Sequence, residues 1–422
     1  MANLKNAGDV DIKQLVIASP SGSSLDVRNQ VVSINIFEDM FSPFITGTLV
    51  IKDSLDFVNY FPLIGDETLY IEIATPGFNT KNTFIRGNFK IFKLSDREMM
   101  GNRSVGYILH FISSEAVIDL NTKISKSYND NISKIAASIL KANSLTTDEG
   151  RYNIEPTAND LAYVSNFWSP TKNLNYLAEN AVSITGSPTF LFFENRNGLN
   201  FISMDSLFKT QPIREFTYNN YNREMDYHGS DNIRNIEKDF SKIIDILIPT
   251  AYDYIERMRS GTFSSTLITH NITTKSYNSN GFDFLTDYDK DVRLNKYPLI
   301  TPSAMHSTDA AVATMHKSAA TLSGTSDITN SAIFQKRRSL LALSESCRVQ
   351  ITILGRTDYT VGQIVTLNLP RNIPIDKGDT DTKDYMFSGN YIVSSLRHAI
   401  DREKHTIRME LIKDSSNVKL KS

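Results

Sequence analysis

Few of the reactive side chains in this sequence stand at spacings that a reaction needs. The nucleophile elbow Gly-x-Ser-x-Gly, the phosphate-cradling P-loop, His-Glu-x-x-His and paired Cys-x-x-Cys are all absent. His306 and His316 share one polar stretch, but no carboxylate stands at a fixed helical spacing from them to complete a metal site. Asp376, Asp379, Asp381 and Asp384 cluster around Gly378. An oxygen-rich loop can hold calcium, yet the EF-hand order and its closing Glu are missing, so a solvated hairpin tip is expected. Lys336-Arg337-Arg338 is a basic triplet, either a phosphate contact or, as expected here, a solvated helix face. Trp168, beside Ser169-Pro170, reads as a core or interface anchor rather than a sugar platform. Cys347 is the only cysteine, which excludes an intramolecular disulfide; at a strand start it reads as a small buried hydrophobe. Sequence cannot bring two carboxylates within a few ångströms, so no glycosidase pair is assigned. No catalytic, cofactor-binding or metal residue is named, and no cofactor is expected.

The elements that hold these groups must then be found. A chain of 422 residues suggests two to four units, and 40% hydrophobic with 22% charged residues is an ordinary globular balance. A net charge of −2 supplies no field toward nucleic acid or an acidic membrane. The polar start Met-Ala-Asn-Leu-Lys-Asn lacks the apolar core of a secretory signal, and no run approaches the roughly 18 apolar residues of a membrane span. A protein made in a cytoplasm and soluble until it assembles is expected.

Residues 1–122 read as nearly all β, with strands expected near 14–18, 31–37, 44–52, 69–73, 84–94 and 105–113. Such short spacing argues a barrel or sandwich. Residues 123–210 turn α+β. Asp130 is the expected N-cap of a helix carrying Ile132, Ile135, Ala136, Ile139 and Leu140, closed by Asn143 and Ser144. A second helix follows Ser169-Pro170, and a hairpin turns around Asn197-Gly198. In 211–260 the apolar run from Ile243 to Leu247 fits strand or helix, and Pro249 would end either. Residues 261–344 combine a Thr/Ser-rich β-stretch, a long exposed loop over 302–330, and a helix over 331–346. The last segment, 345–422, alternates most clearly. His405, Ile407, Met409 and Leu411 share one face of its last strand, with Thr406, Arg408 and Glu410 on the other. The charged turn Asp401-Arg402-Glu403-Lys404 should lie in solvent.

The order of several degenerate motifs carries a family resemblance. They are the Leu63-Ile64-Gly65-Asp66 turn, the strand Gly87-Asn88-Phe89-Lys90-Ile91-Phe92, and Asn173-Leu174-Asn175-Tyr176-Leu177-Ala178-Glu179 before a Phe-rich hairpin. Val361-Gly362-Gln363-Ile364-Val365, Phe387-Ser388-Gly389-Asn390-Tyr391, Leu396-Arg397-His398 and Leu411-Ile412-Lys413-Asp414 follow. Over residues 10–415 the chain resembles the central baseplate hub proteins of contractile phage tails, related to the hub part of type VI secretion spike proteins.

The resemblance implies an α+β, mostly β fold with two tube-like antiparallel barrels, 1–122 and 211–260 joined to 345–422. It implies a homotrimeric ring that adapts a six-fold tail tube to a three-fold spike and lines the channel, without turnover. The partners implied are further copies of itself, the tail tube protein, a central spike protein and other baseplate proteins in the virion. No stable membrane or sequence-specific nucleic-acid binding is implied. Because the sequence ends after the hub-like region, the spike is expected to be a separate chain. A hub of a phage-derived or type VI-like injection machine, a wall hydrolase and a receptor-binding β-protein are the alternatives. Thr46, Thr48, Thr406, Arg408 and Glu410 are candidate lumen or neighbour contacts.

Overall fold

Alternation in the first segment becomes seven strands in the computed structural model. It describes residues 6–61, 63–77, 83–100, 104–142, 151–218, 236–271, 275–300, 311–316, 331–371, 383–402 and 404–419. The strands are β1 (Asp11–Ala18), β2 (Ser24–Asp26), β3 (Val31–Asp39), β4 (Thr46–Asp53), β5 (Thr68–Ala74), β6 (Ile85–Met99) and β7 (Val105–Ser113). Gly47, Leu49 and Ile51 of β4 are buried while Thr46, Thr48 and Val50 are half-buried, as a pleated strand with one covered face requires. A short helix, α1 (Phe57–Tyr60), interrupts the β4–β5 connection. Glu67 closes the turn before β5 by accepting from the amides of Ile64 at 2.7 Å and Gly65 at 3.0 Å.

The α+β segment contains α2 (Ser114–Asn121), β8 (Ile124–Asn131), α3 (Ile132–Ala142), β9 (Tyr152–Ile154), β10 (Asp160–Trp168), α4 (Pro170–Asn180), β11 (Phe190–Asn195), β12 (Gly198–Ser203) and α5 (Met204–Phe208). Asp130 is not the N-cap of α3. Pairing of β8 with β10 keeps it extended opposite Leu161, and Asn131 takes over, its Oδ1 accepting from the Ser133 amide at 3.1 Å. Asn143 and Ser144 lie outside the described residues. Helix α4 starts as expected, with Ser169 Oγ accepting from the Lys172 amide at 3.3 Å and Pro170 in the first turn. Its Leu174, Leu177 and Ala178 share a core with Ile135 and Ile139 of α3. The hairpin turn falls on Arg196-Asn197, one residue early, because Gly198 already pairs with Asn195. Gly198 has φ 125°, and a Cβ there would lie 2.1 Å from the Arg151 carbonyl oxygen, so glycine lets β9 approach in parallel.

The next segment holds β13 (Glu215–Thr217), α6 (Ile236–Asp239) and β14 (Ile243–Ala251). Pro249 lies inside β14 and does not end it. The strand is a sheet edge with a register shift between Leu247 and Thr250, where a missing N–H costs no ladder bond. Helix α7 (Tyr254–Arg259) ends that segment, and the segment 261–344 has β15 (Ser264–Asn271), β16 (Ser276–Asp283), α8 (Phe284–Asp287), β17 (Tyr297–Pro298), β18 (Val312–His316) and α9 (Ser331–Ser344). Strand β18 falls within the expected loop over 302–330. It pairs in parallel with β15, from Thr266 opposite Val312 to His270 opposite His316. The chain closes with β19 (Cys347–Leu354), β20 (Ile364–Asn368), β21 (Gly389–Asp401), β22 (His405–Lys413) and β23 (Ser415–Ser416).

Thirteen strands join in one sheet. Its main path runs β14-β19-β22-β21-β3-β4-β7-β6-β5-β1-β2, with β20 on β21 and β13 on β20. The fold is thus mostly β with a large antiparallel sheet, and two apolar cores lie on it. One gathers Leu15, Ile34, Leu49, Ile71, Ile91 and Phe111; the other gathers Phe216, Ile243, Val349, Ile364, Tyr391 and Leu411. Pairing of β3 with β21 welds the N-terminal strands to the C-terminal ones, from Ser33 opposite Asp401 to Asp39 opposite Ser395.

Candidate functional site

Register on that sheet assembles a polar wall. Residues directly opposite one another in neighbouring strands point to the same face. One row runs Lys90, Ile112, Thr46, Phe37, Arg397, Arg408, Thr352 and Asp245. At an inter-strand spacing of about 4.8 Å, it crosses roughly 34 Å of sheet. A second row runs Lys93, His110, Thr48, Asn35, Ala399, Thr406 and Leu354. A third runs Asp39, Ser395, Glu410, Gln350 and Leu247. The five residues singled out from sequence, Thr46, Thr48, Thr406, Arg408 and Glu410, come from opposite ends of the chain and share this wall. Their side chains are tied laterally. Asn35 donates to Thr48 Oγ1 at 3.1 Å, Arg397 to Asn35 Oδ1 at 2.8 Å, and Arg408 to Gln350 Oε1 at 2.6 Å. A depression of about 250 Å³ opens at the middle, lined by Phe37, Asp39, Arg397, Arg408 and Glu410.

Beneath the wall, buried polar groups join the two halves. Glu38 follows Ile34 and Ile36 on the covered face of β3, and its carboxylate accepts from Thr360 Oγ1 and from the Val361 amide at 3.2 Å. Burial pushes its pKa up, and those two hydrogen bonds oppose the shift. The β11–β12 hairpin docks here: the Arg196 amide donates to Thr360 Oγ1, and Asn195 Nδ2 to the Val361 carbonyl. Glu194 reaches the other way, accepting from the Ile45 amide at 3.0 Å and from Ser113 Oγ. Burial and the neighbouring Glu115 push its carboxyl up to about 7. His398 Nδ1 and His405 Nε2 are 2.9 Å apart in full burial. Desolvation lowers both, His405 to about 3. Gly355 makes room for them, since a Cβ there would lie 2.2 Å from the His405 ring. Thr75 and Thr357 exchange amide-to-hydroxyl bonds at 3.1 and 3.0 Å across the same junction.

The remaining candidates separate. Cys347 is fully buried at the start of β19, its Sγ 3.9 Å from Tyr391 Oη, a packed small residue as expected. The basic triplet is not a solvated face. Lys336 pairs with Asp291 at 2.6 Å, and Arg337 donates to the carbonyls of Pro188 and Phe190 at 2.7 and 2.8 Å. Burial lowers Arg337 to about 10, and only Arg338 is exposed. Trp168 is half-buried in an aromatic cluster with Tyr163 and Tyr176. Asp384 holds a turn by accepting from the Met386 amide at 2.9 Å. His306, Asp376, Asp379 and Asp381 lie outside the described residues, and His316 takes a place in β18. Among the described residues no group of three or more His, Cys, Asp or Glu is placed to hold a metal ion, and no helix is long and apolar enough to cross a membrane. Asp401, Arg402 and Lys404 of the charged turn are exposed, but Arg402 donates to the carbonyls of Asn29 and Val31 at 2.6 and 3.1 Å. Glu38 and Glu194 were not anticipated, although Glu38 stands in the apolar phase of its strand, which marks a buried carboxylate with dedicated partners.

No protein-family model matches the chain. Among curated proteins it is 21% identical over 415 residues to the probable baseplate hub protein gp334 of Vibrio phage KVP40, covering 92% of this chain and 91% of the relative. Among solved structures it matches the 43 kDa tail protein of prophage MuSo2 from Shewanella oneidensis, at 9% identity and a TM-score of 0.55 over 96% of this chain and 99% of that one. It also matches the tail protein from Neisseria meningitidis MC58, at 11% identity and a TM-score of 0.53 over 97% and 96%. The fold is that of phage tail proteins. Along nearly its whole length the chain resembles the baseplate hub proteins, and its role is that of a structural hub.

Proposed function

We propose that three copies of this chain close into a baseplate ring that adapts the six-fold tail tube to a three-fold central spike, with the polar wall lining the channel. Each copy contributes two tube-like units, residues 1–122 and 211–260 with 345–422, so the ring presents six similar units to a hexameric tube. The observation that carries this reading is the uninterrupted row of mostly polar side chains from Lys90 to Asp245, which belongs to both units at once. A wall read as solvent-facing along its whole width suits a water-filled passage, and closed cyclic symmetry avoids open-ended growth. The exposed edge strand β14, with Ile244, Leu247 and Ile248 outward, is the apolar contact that such a closure needs. Tube, spike and other baseplate proteins are the partners, the virion tail is the place of action, and the work involves no turnover. Native mass spectrometry of the full chain, alone and with the spike protein, tests the reading. A trimer in either sample is expected, and monomer in both would defeat it.

A further inference from the structure

Among the described residues, the large sheet leaves two stretches of wall strand unpaired along one side. One is β14, which ends the path and pairs only with β19. The other lies within β6. Strand β5 covers β6 from Ile85 to Lys90, and the Ile91 amide donates to the Glu67 carbonyl at 3.0 Å, but over residues 92–99 only β7 adjoins it. Free backbone N–H and C=O groups along a strand are a template for a further strand. Both stretches also expose apolar side chains, Ile244, Leu247 and Ile248 on β14, and Phe92 and Met99 on β6. Each carries one charge on the polar wall. Lys93 stands in the row of His110 and Thr48, and Asp245 in the row of Thr352 and Arg408. Both are exposed, and neither has a charged partner among the described residues.

Strand direction decides which stretch can meet which. From β14 through β19, β22, β21, β3, β4 and β7 to β6 there are seven antiparallel pairings, so β14 and β6 run in opposite directions. Copies related by rotation about a channel axis keep their strand directions. Strand β14 of one copy therefore lies antiparallel to β6 of the next, with both polar faces on the same side. Asp245 and Lys93 then flank the seam, where opposite charges on neighbouring strands attract. They stand one row apart within a copy, a stagger that the tilted strands of a closed sheet require. A two-fold pairing of β14 with itself would instead bring two Asp245 side chains together and stop at a dimer. Pro249, which has no N–H to give, confines the pairing to the part of β14 before it. Resting on the trimeric reading above, we propose that residues 243–248 of one copy add as an antiparallel strand to residues 92–99 of the next, so that the polar wall continues from copy to copy.

The full chain tests this, with the spike protein added where the trimer needs it. Cysteine replaces Lys93 or Ser95 on β6 together with Asp245 or Leu247 on β14. Ser95 lies opposite Ile108, two residues further along the same face as Lys93, so the double variants bracket the register. Cys347 is fully buried, and the parent is the control. After mild oxidation, a covalent trimer is expected on a non-reducing gel from at least one double variant and from no single variant. Charge reversal gives a second readout. Lys93→Glu or Asp245→Lys alone should raise the trimer's dissociation constant about five-fold, and the two together should restore it. Trimers that persist without a cross-link in any double variant, and without a response to charge reversal, overturn the seam and leave the ring standing. A covalent dimer of the Asp245→Cys single variant overturns it in favour of two-fold pairing. Absence of any trimer from the parent defeats the ring reading, and the seam with it.

Discussion

Glu194 is the side chain through which pH acts most directly on the junction. Its folded pKa is raised to about 7 from an ordinary 4.5, so the folded state holds the proton more tightly than the unfolded one. The stability this supplies is complete below pH 4.5 and is lost as pH rises through about 7. Glu194→Gln mimics the protonated form and removes that titration. The stability of the parent relative to the variant should therefore fall with rising pH over this window, by about 3 kcal/mol at most. Urea midpoints across the window check it, and a difference that does not change with pH would contradict the assignment. At this scale the sequence was only partly legible. His405 was placed on the covered face because its strand alternates, but its contact with His398 depends on a register that no single strand reveals. The triplet at Lys336 looked solvated because its partners, Asp291 and the Pro188 and Phe190 carbonyls, are remote in sequence.

Elements were legible where one face is covered along a whole strand, as in β4, β19 and β22. They were misread where a partner decides the outcome. Val312–His316 shows no alternation and becomes a strand only because β15 offers an edge. Asp130 would cap a helix in isolation, yet β10 holds it extended. Strand β14 keeps its proline because it is an edge. The C-terminal strands carry the heaviest structural duty. Removing residues 346–422 takes away β19 through β23, opens the edges of β3 and β14, and uncovers Phe216 and Ile243. Insoluble protein is expected on expression of that truncation. A soluble monomer whose circular dichroism matches the parent strand content of residues 1–345 would show that the shared sheet is dispensable.

For the whole molecule, the sequence-level order of motifs pointed to a hub, and the sheet supplies the reason that its two ends belong together. If β14 is the contact between copies, Leu247→Asp places a charge on an edge side chain that is 50% exposed in the single chain. The fold should persist, with unchanged circular dichroism, while light scattering shifts from trimer toward monomer; a variant that still forms the trimer would move the contact elsewhere. The seven residue pairs between β3 and β21 also have a mechanical meaning. Two units linked by a tether can swing and stretch independently, whereas units sharing one sheet act as a single stiff plate. A pull directed along the strands loads all the β3–β21 hydrogen bonds together, in shear, while a pull across them opens the bonds one after another from one end.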